Sequence, residues 1–253
     1  MMHGSKFWII VASTAFCLFM WLLAIFRYAP DCELDNTLPQ TDTIATVELS
    51  AIPAVPENSV LPYGLVRIRD IAPEVAICLK YSGTDNFTGQ KLYDSVWDAF
   101  LQPDVAEMLS EADRHLRRLH PELRLLVYDA ARPVSVQRKM WEQVKDTPYR
   151  NYVANPERTG LHNYGAAVDI TLTDSVLTPL DMGTIFDYFG EAAGISREEE
   201  LLRRGILTAR QVDNRQLLRE VMRHAGFLSV SGEWWHFNAC PLGEAKQRYP
   251  LIE

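Results

Sequence analysis

The chain has 253 residues, 47% of them hydrophobic and 23% charged, enough for one catalytic domain with an appendage and too few for two large domains. A formal net charge of −8 excludes the basic surface that nucleic-acid binding requires, so no nucleic-acid partner is expected. Four cysteines, at positions 17, 32, 78 and 240, form no CxxC pair, which rules out a zinc finger and a disulfide framework but leaves room for one bridge outside the cytoplasm.

Phe7 to Phe26 is an apolar run without a charged residue, long enough to cross a bilayer as a helix. It exceeds the apolar core of an ordinary signal peptide, and no small-x-small cleavage site follows directly. Residues 1–28 therefore read as a retained signal-anchor, with a cleaved signal peptide as the alternative. Lys6 lies before the run, whereas Asp31, Glu33 and Asp35 lie after it. The positive-inside rule then favours an inner-membrane anchor with the following domain outside the cytoplasm. If the signal is cleaved, the product is secreted or periplasmic. Residues 29–60 carry Pro30, Pro39, Pro53 and Pro56 among polar residues and read as a linker.

The folded domain is expected over residues 61–253. Val75 to Tyr81 has the composition of a strand, and the turn-rich segment Tyr81 to Gly89 follows it. Val105, Met108, Leu109, Ala112, Leu116 and Leu119 recur at helical spacing after Pro103, predicting a helix over 103–119. Leu123 to Tyr128 predicts a strand, and Val134 to Lys145 a helix entered through a proline. Val168, Ile170 and Leu172 alternate with Ala167, Asp169 and Thr171, the pattern of a strand with two distinct faces. The charge run from Arg197 to Arg204 reads as a solvated helix face. Gln216 to Ala225 is amphipathic and ends at Gly226, a usual C-terminal stop. Strands and helices mix without a regular βαβ rhythm. The expected class is α+β, with a central, mostly antiparallel sheet flanked by helices.

Two stretches carry chemistry. Thr159–Ile170 supplies His162 and Asp169, and Gly232–Asn238 supplies His236 and Glu233. A catalytic zinc takes three protein ligands, typically histidine and carboxylate, and keeps a fourth position for water. A nearby base must take that water's proton. His162, Asp169 and His236 fit the ligand set and Glu233 the base. Gly165 lets the chain bend so that His162 can fold over the Asp169 side of its strand. Trp234, His236 and Asn238 share one face of an extended segment, and a turn at Ser231-Gly232 is expected to aim Glu233 at the metal. Taken singly, His162 reads as a loop histidine and Asp169 as a surface carboxylate. Their joint spacing with His236 and Glu233 carries the reading. Cys240, four residues after His236, would close the water position as a fourth ligand, so it is expected to be buried or disulfide-bonded instead.

These motifs resemble those of the D-alanyl-D-alanine dipeptidases, zinc enzymes within the wider D,D-peptidase and hedgehog-like group. The resemblance runs from about Tyr81 to about Pro241. It includes Lys80-Tyr81, Asp85 to Gly89, Tyr128-Asp129 with Arg132-Pro133, His162 with Gly165 and Asp169, Met182-Gly183 with Phe186-Asp187, and Glu233 to His236. It implies one zinc ion per chain on His162, Asp169 and His236, with Glu233 as catalytic base. It implies that Arg132 stabilises the oxyanion, and that Asp187 and Tyr81 hold the amino group of a small D,D-dipeptide. One departure stands out: residue 160 is Gly, where the vancomycin-resistance members of the family carry a serine that contacts substrate.

The implied activity is zinc-dependent hydrolysis of D-alanyl-D-alanine to free amino acids, in turnover of cell-wall peptides. The alternative is a zinc D,D- or L,D-carboxypeptidase acting on peptidoglycan stem peptides. A metal-binding wall or signalling module without turnover is a third reading, and Glu233 with Arg132 argues against it.

Overall fold

The computed structural model describes residues 61–93 and 98–253. The apolar segment at 1–28 and the linker at 29–60 lie outside the described residues. No helix among the described residues is long and apolar enough to cross a membrane.

Among the described residues, seven strands and six α-helices follow in order. They are β1 (Val66–Arg67), α1 (Ile68–Ile71), β2 (Ala76–Ile77), β3 (Phe100–Leu101), α2 (Pro103–Leu119), β4 (Arg124–Asp129), α3 (Val134–Val144), β5 (Ala167–Thr173), α4 (Glu198–Arg203), α5 (Ala209–His224), β6 (Leu228–Ser229), β7 (His236–Asn238) and α6 (Leu242–Arg248). Five strands form the main sheet in the order β2-β4-β5-β7-β6, and β1 and β3 make a separate pair. Only the β2–β4 pairing is parallel; the other three in the main sheet are antiparallel. The expected α+β sheet is therefore present.

The core explains the long elements. Helix α2 opens on Pro103, carries Asp104 in its first turn and ends on Arg117 and Arg118, an order of charge that opposes the helix dipole. Its stripe of Val105, Leu109, Ala112 and Leu116 is fully buried, packed against α5 and β4. Each such leucine contributes about 1.5–3 kcal/mol by leaving water. Strand β5 is buried along all seven residues. Both of its faces are covered, so the polar face of the alternation is not a solvent face.

Several expectations from sequence are corrected. The strand read at Val75–Tyr81 shrinks to Ala76–Ile77, and a 3-10 turn at Lys80–Ser82 follows. That turn places Tyr81 in the interior. The helix read from Gln216 starts at Ala209, capped by a reciprocal pair of Thr208 and Gln211, the S/T-x-x-E/Q signature. The charge run at 197–204 is not simply solvated. Glu198 and Leu201 are buried, and Glu198 pairs with Arg219 of α5 at 2.9 and 2.6 Å. Finally, β7 begins only at His236, and residues 231–235 bend. Trp234 therefore leaves the alternation shared by His236 and Asn238, and its indole nitrogen donates to Thr184 Oγ1 at 2.8 Å.

Candidate active site

Sheet register creates the centre of the site. Asp129 on β4 is paired with Asp169 on β5, and Asp169 with His236 on β7. Directly opposed residues in antiparallel strands project to the same side, so these three groups form a row across the middle of the sheet. A register shift between Val127 and Asp129 sets the end of β4 into that row.

His162 arrives from the 3-10 turn Leu161–Tyr164. Gly165 ends that turn at φ 65°, and a Cβ there would lie 2.7 Å from Leu65 Cδ2. The position thus excludes side chains by both conformation and space. The turn is bolted to the segment after β4. Arg132 N donates to His162 O at 2.9 Å, and Asn163 Nδ2 donates to Arg132 O at 2.9 Å.

Three donor atoms converge. His162 Nε2 is 3.2 Å from His236 Nδ1 and 3.4 Å from Asp169 Oδ1, and His236 Nδ1 is 2.9 Å from Asp169 Oδ1. His162 uses Nδ1 on the Ala130 carbonyl at 2.6 Å, and His236 uses Nε2 on Asn238 Oδ1 at 2.7 Å. With the outer acceptors taking the ring protons, each inward nitrogen is free to offer a lone pair to a cation. Two ring nitrogens and a carboxylate oxygen converging in one small triangle are the donor set a cation requires. Tetrahedral zinc with bonds of about 2.0–2.1 Å has ligand–ligand edges of about 3.3 Å, and the triangle matches that size. Among the described residues, this is the one group of three or more His, Cys, Asp or Glu side chains arranged to hold a metal ion. Cys240 is free, buried and outside it.

All seven residues singled out in the sequence line a single cleft. It encloses about 230 Å³, small beside typical clefts for drug-sized ligands. Arg132 is almost fully buried, with its Nε and Nη2 donating to Asp129 Oδ2 at 2.8 and 2.6 Å and Nη1 to Gln137 Oε1 at 2.9 Å. Burial opposes its charge, but Asp129 first, then the neighbouring phenols and Asp169, outweigh that and hold it cationic. Its guanidinium lies 5.2 Å from the centre of the Tyr81 ring. The Tyr81 hydroxyl donates to Asp187, 3.0 Å from each carboxylate oxygen, and Phe87 N donates to Asp187 Oδ2 at 3.2 Å.

Two carboxyl groups are tuned towards neutrality. Burial, then repulsion from Asp169, raises Asp187 to about 7 against the opposing pull of its hydrogen bonds. Burial also raises Glu233 to about 7, with His236 and Arg132 pulling down and Asp169 and Asp187 pushing up. Asp169 goes the other way. Its burial is outweighed by His162 and His236, which hold its carboxyl well below the usual range.

Sequence reasoning assigned no role to Asp129, Gln137 or the Ala130 carbonyl, which orient Arg132 and His162. The signal for Asp129 was its place three residues before Arg132. Asn238 was visible as the next residue on the His236 face of β7. Gly160, the departure from the family pattern, lines the cleft, and a Cβ there would lie 3.2 Å from the Ala154 methyl. A side chain at 160 would therefore press on the Ala154 methyl.

Three side chains arranged to hold one metal ion, beside a buried arginine and a glutamate in one small cleft, are the equipment of a mononuclear metallopeptidase. The D-ala-D-ala dipeptidase family model matches residues 62–251, and the chain belongs to that family. A D-alanyl-D-alanine dipeptidase of Escherichia coli is 34% identical over 188 residues, covering 74% of this chain and 89% of the relative. One from Enterococcus faecalis is 30% identical over 175 residues, covering 62% and 82%. Among solved structures, a mutant of the vancomycin-resistance D,D-pentapeptidase VanY in complex with Zn(II) aligns over 61% of this chain and 81% of its own at 13% identity, with a TM-score of 0.34.

Proposed function

We propose that this chain hydrolyses D-alanyl-D-alanine to free alanine, with one zinc ion held by His162, Asp169 and His236. The donor triangle with edges of 2.9–3.4 Å carries the reading. When bound, the ion supplies a Lewis acid that polarises the scissile carbonyl and brings the pKa of water to about 7. Glu233 takes the proton of the attacking water and delivers it to the departing amine nitrogen as the C–N bond breaks. Burial raises this carboxyl and a bound cation pulls it down again, an opposition that suits a group that both takes and returns a proton. Arg132 commits one N–H from each of Nε, Nη1 and Nη2. Of its five donors two remain; Nη2 faces Asp169 Oδ2 at 3.5 Å, which leaves the second N–H of Nη1 to stabilise the negative charge on the former carbonyl oxygen. Loss of such a donor costs about a hundred- to thousandfold in rate. Asp187, fixed by Tyr81, pairs with the substrate's ammonium group. That pairing, in a cleft this small, favours peptides with a free amino end directly beside the scissile bond.

The test is incubation with D-Ala-D-Ala and, separately, with a pentapeptide stem, followed by mass spectrometry. Cleavage of the dipeptide alone is expected. Release of terminal D-Ala from the pentapeptide at comparable rate would establish the carboxypeptidase alternative instead.

The same reading includes the hedgehog-like arrangement of the group and an N-terminal membrane helix, with the domain acting outside the inner membrane. Cys78 is disulfide-bonded, and such bonds persist in oxidising compartments. Salvage of wall-derived dipeptides fits that location better than destruction of a cytoplasmic precursor. Fusion to a reporter active only outside the cytoplasm tests it, and a silent reporter removes the basis for export.

A further inference from the structure

One side chain reaches both ends of the segment that carries Asp187. Arg215 of α5 is fully buried, and its guanidinium donates from Nε to Met182 O at 2.6 Å and from Nη2 to Ala192 O at 2.8 Å. Asp187 lies midway in sequence between those two residues. It also holds a positive φ of 60° without being glycine, a conformation that persists only where the surroundings enforce it.

Stability alone does not account for a cation at this place. Arg215 Nη1 stands 3.6 Å from Glu198 Oε1 and has no hydrogen-bond partner, because Glu198 is engaged by Arg219. Burying even a paired charge costs several kcal/mol in desolvation, and an apolar residue of similar volume would fill the space at lower cost. What an apolar residue cannot do is hold two carbonyls in a planar, fixed relation. The same segment is joined to the Glu233–His236 stretch, since Trp234 donates to Thr184 and its ring lies 5.9 Å from the Arg215 guanidinium carbon. Arg215 thus stands where the Asp187 segment and the base-bearing stretch meet.

We propose that Arg215 is a positioning residue for substrate recognition: by clamping both ends of the 182–192 segment it fixes Asp187 where the substrate's ammonium docks. The inference rests on the assignment of Asp187 as the ammonium anchor. Lysine at 215 keeps the charge but, as a point donor, cannot span both carbonyls.

The experiment compares Arg215→Lys and Asp187→Ala with the wild type as zinc-loaded full chains, reading kcat, KM for D-Ala-D-Ala and zinc content. For Arg215→Lys, KM should rise about tenfold, equivalent to about 1.4 kcal/mol, while kcat stays within about threefold and zinc content is unchanged. Asp187→Ala should raise KM further. Wild-type KM in Arg215→Lys beside a raised KM in Asp187→Ala refutes the clamp and leaves the anchor standing. Unchanged KM in Asp187→Ala overturns the anchor and the clamp with it. A parallel fall of kcat and zinc content in Arg215→Lys marks general structural damage and also refutes the proposal. Should Arg215→Lys fail to fold, Glu198→Gln serves, since it keeps the shape of the carboxylate but removes the charge facing Arg215. A smaller KM rise in the same direction supports the clamp, and wild-type KM in that variant refutes it.

Discussion

Replacing Asp187 by asparagine should make the metal-free protein more stable at alkaline pH while impairing recognition. Burial and the nearby Asp169 raise the Asp187 carboxyl from an ordinary 3.8 to about 7. The native state therefore holds this proton more tightly than the unfolded chain does. The group's contribution to stability is complete below about pH 4, declines as pH rises to about 7 and stays lost above that. The whole interval corresponds to about 4 kcal/mol, with about 2–3 kcal/mol of it falling between about pH 5 and pH 8. Asparagine does not titrate, but it leaves one of the Tyr81 and Phe87 donors less well matched, at about 1 kcal/mol. Urea denaturation of both proteins without metal, at about pH 5 and pH 8, gives the comparison. The variant should gain on the wild type by about 2–3 kcal/mol between the two, and its KM for the dipeptide should rise at pH 8. An equal stability difference at both values would show that Asp187 is not held at a raised pKa, and the account of the anchor would lose its electrostatic basis.

Other outcomes follow from the same geometry. Glu233→Ala should abolish turnover while zinc stays bound, as read by metal analysis; a retained rate means the base is misassigned. Burial raises Asp187, so its protonation as pH falls should raise KM for the dipeptide, and Asp187→Asn should flatten that pH dependence of KM. Asp129→Asn leaves the buried Arg132 cation without its partner, at a cost of about 3–5 kcal/mol, visible as a lower melting temperature together with reduced kcat. A melting temperature and kcat equal to wild type would mean that Asp129 does not hold Arg132. Gly165→Ala forces a methyl to within 2.7 Å of Leu65 at positive φ and should lower zinc affinity through His162, measured by competition with a chelating dye.

The long periodic elements were legible because burial leaves a spacing in the sequence. Helix α2 was bounded from its proline and apolar stripe, and β5 from its alternation. Short elements were not, because two-residue strands such as β2 and β6 owe their existence to the neighbours they pair with. The buried side of the charged stretch at 197–204 was equally invisible, since Arg219, which neutralises Glu198, comes from another helix.

The sequence by itself determined which groups could meet an ion and which family the chain belongs to, because ligand type and local spacing are properties of short segments. The tertiary structure decided the rest. The row from Asp129 through Asp169 to His236 exists only in the register of three strands. The lone pairs point inward only because Ala130 and Asn238 accept the ring protons. The near-neutral carboxyls of Glu233 and Asp187 arise from exclusion of water, which no single segment can bring about alone.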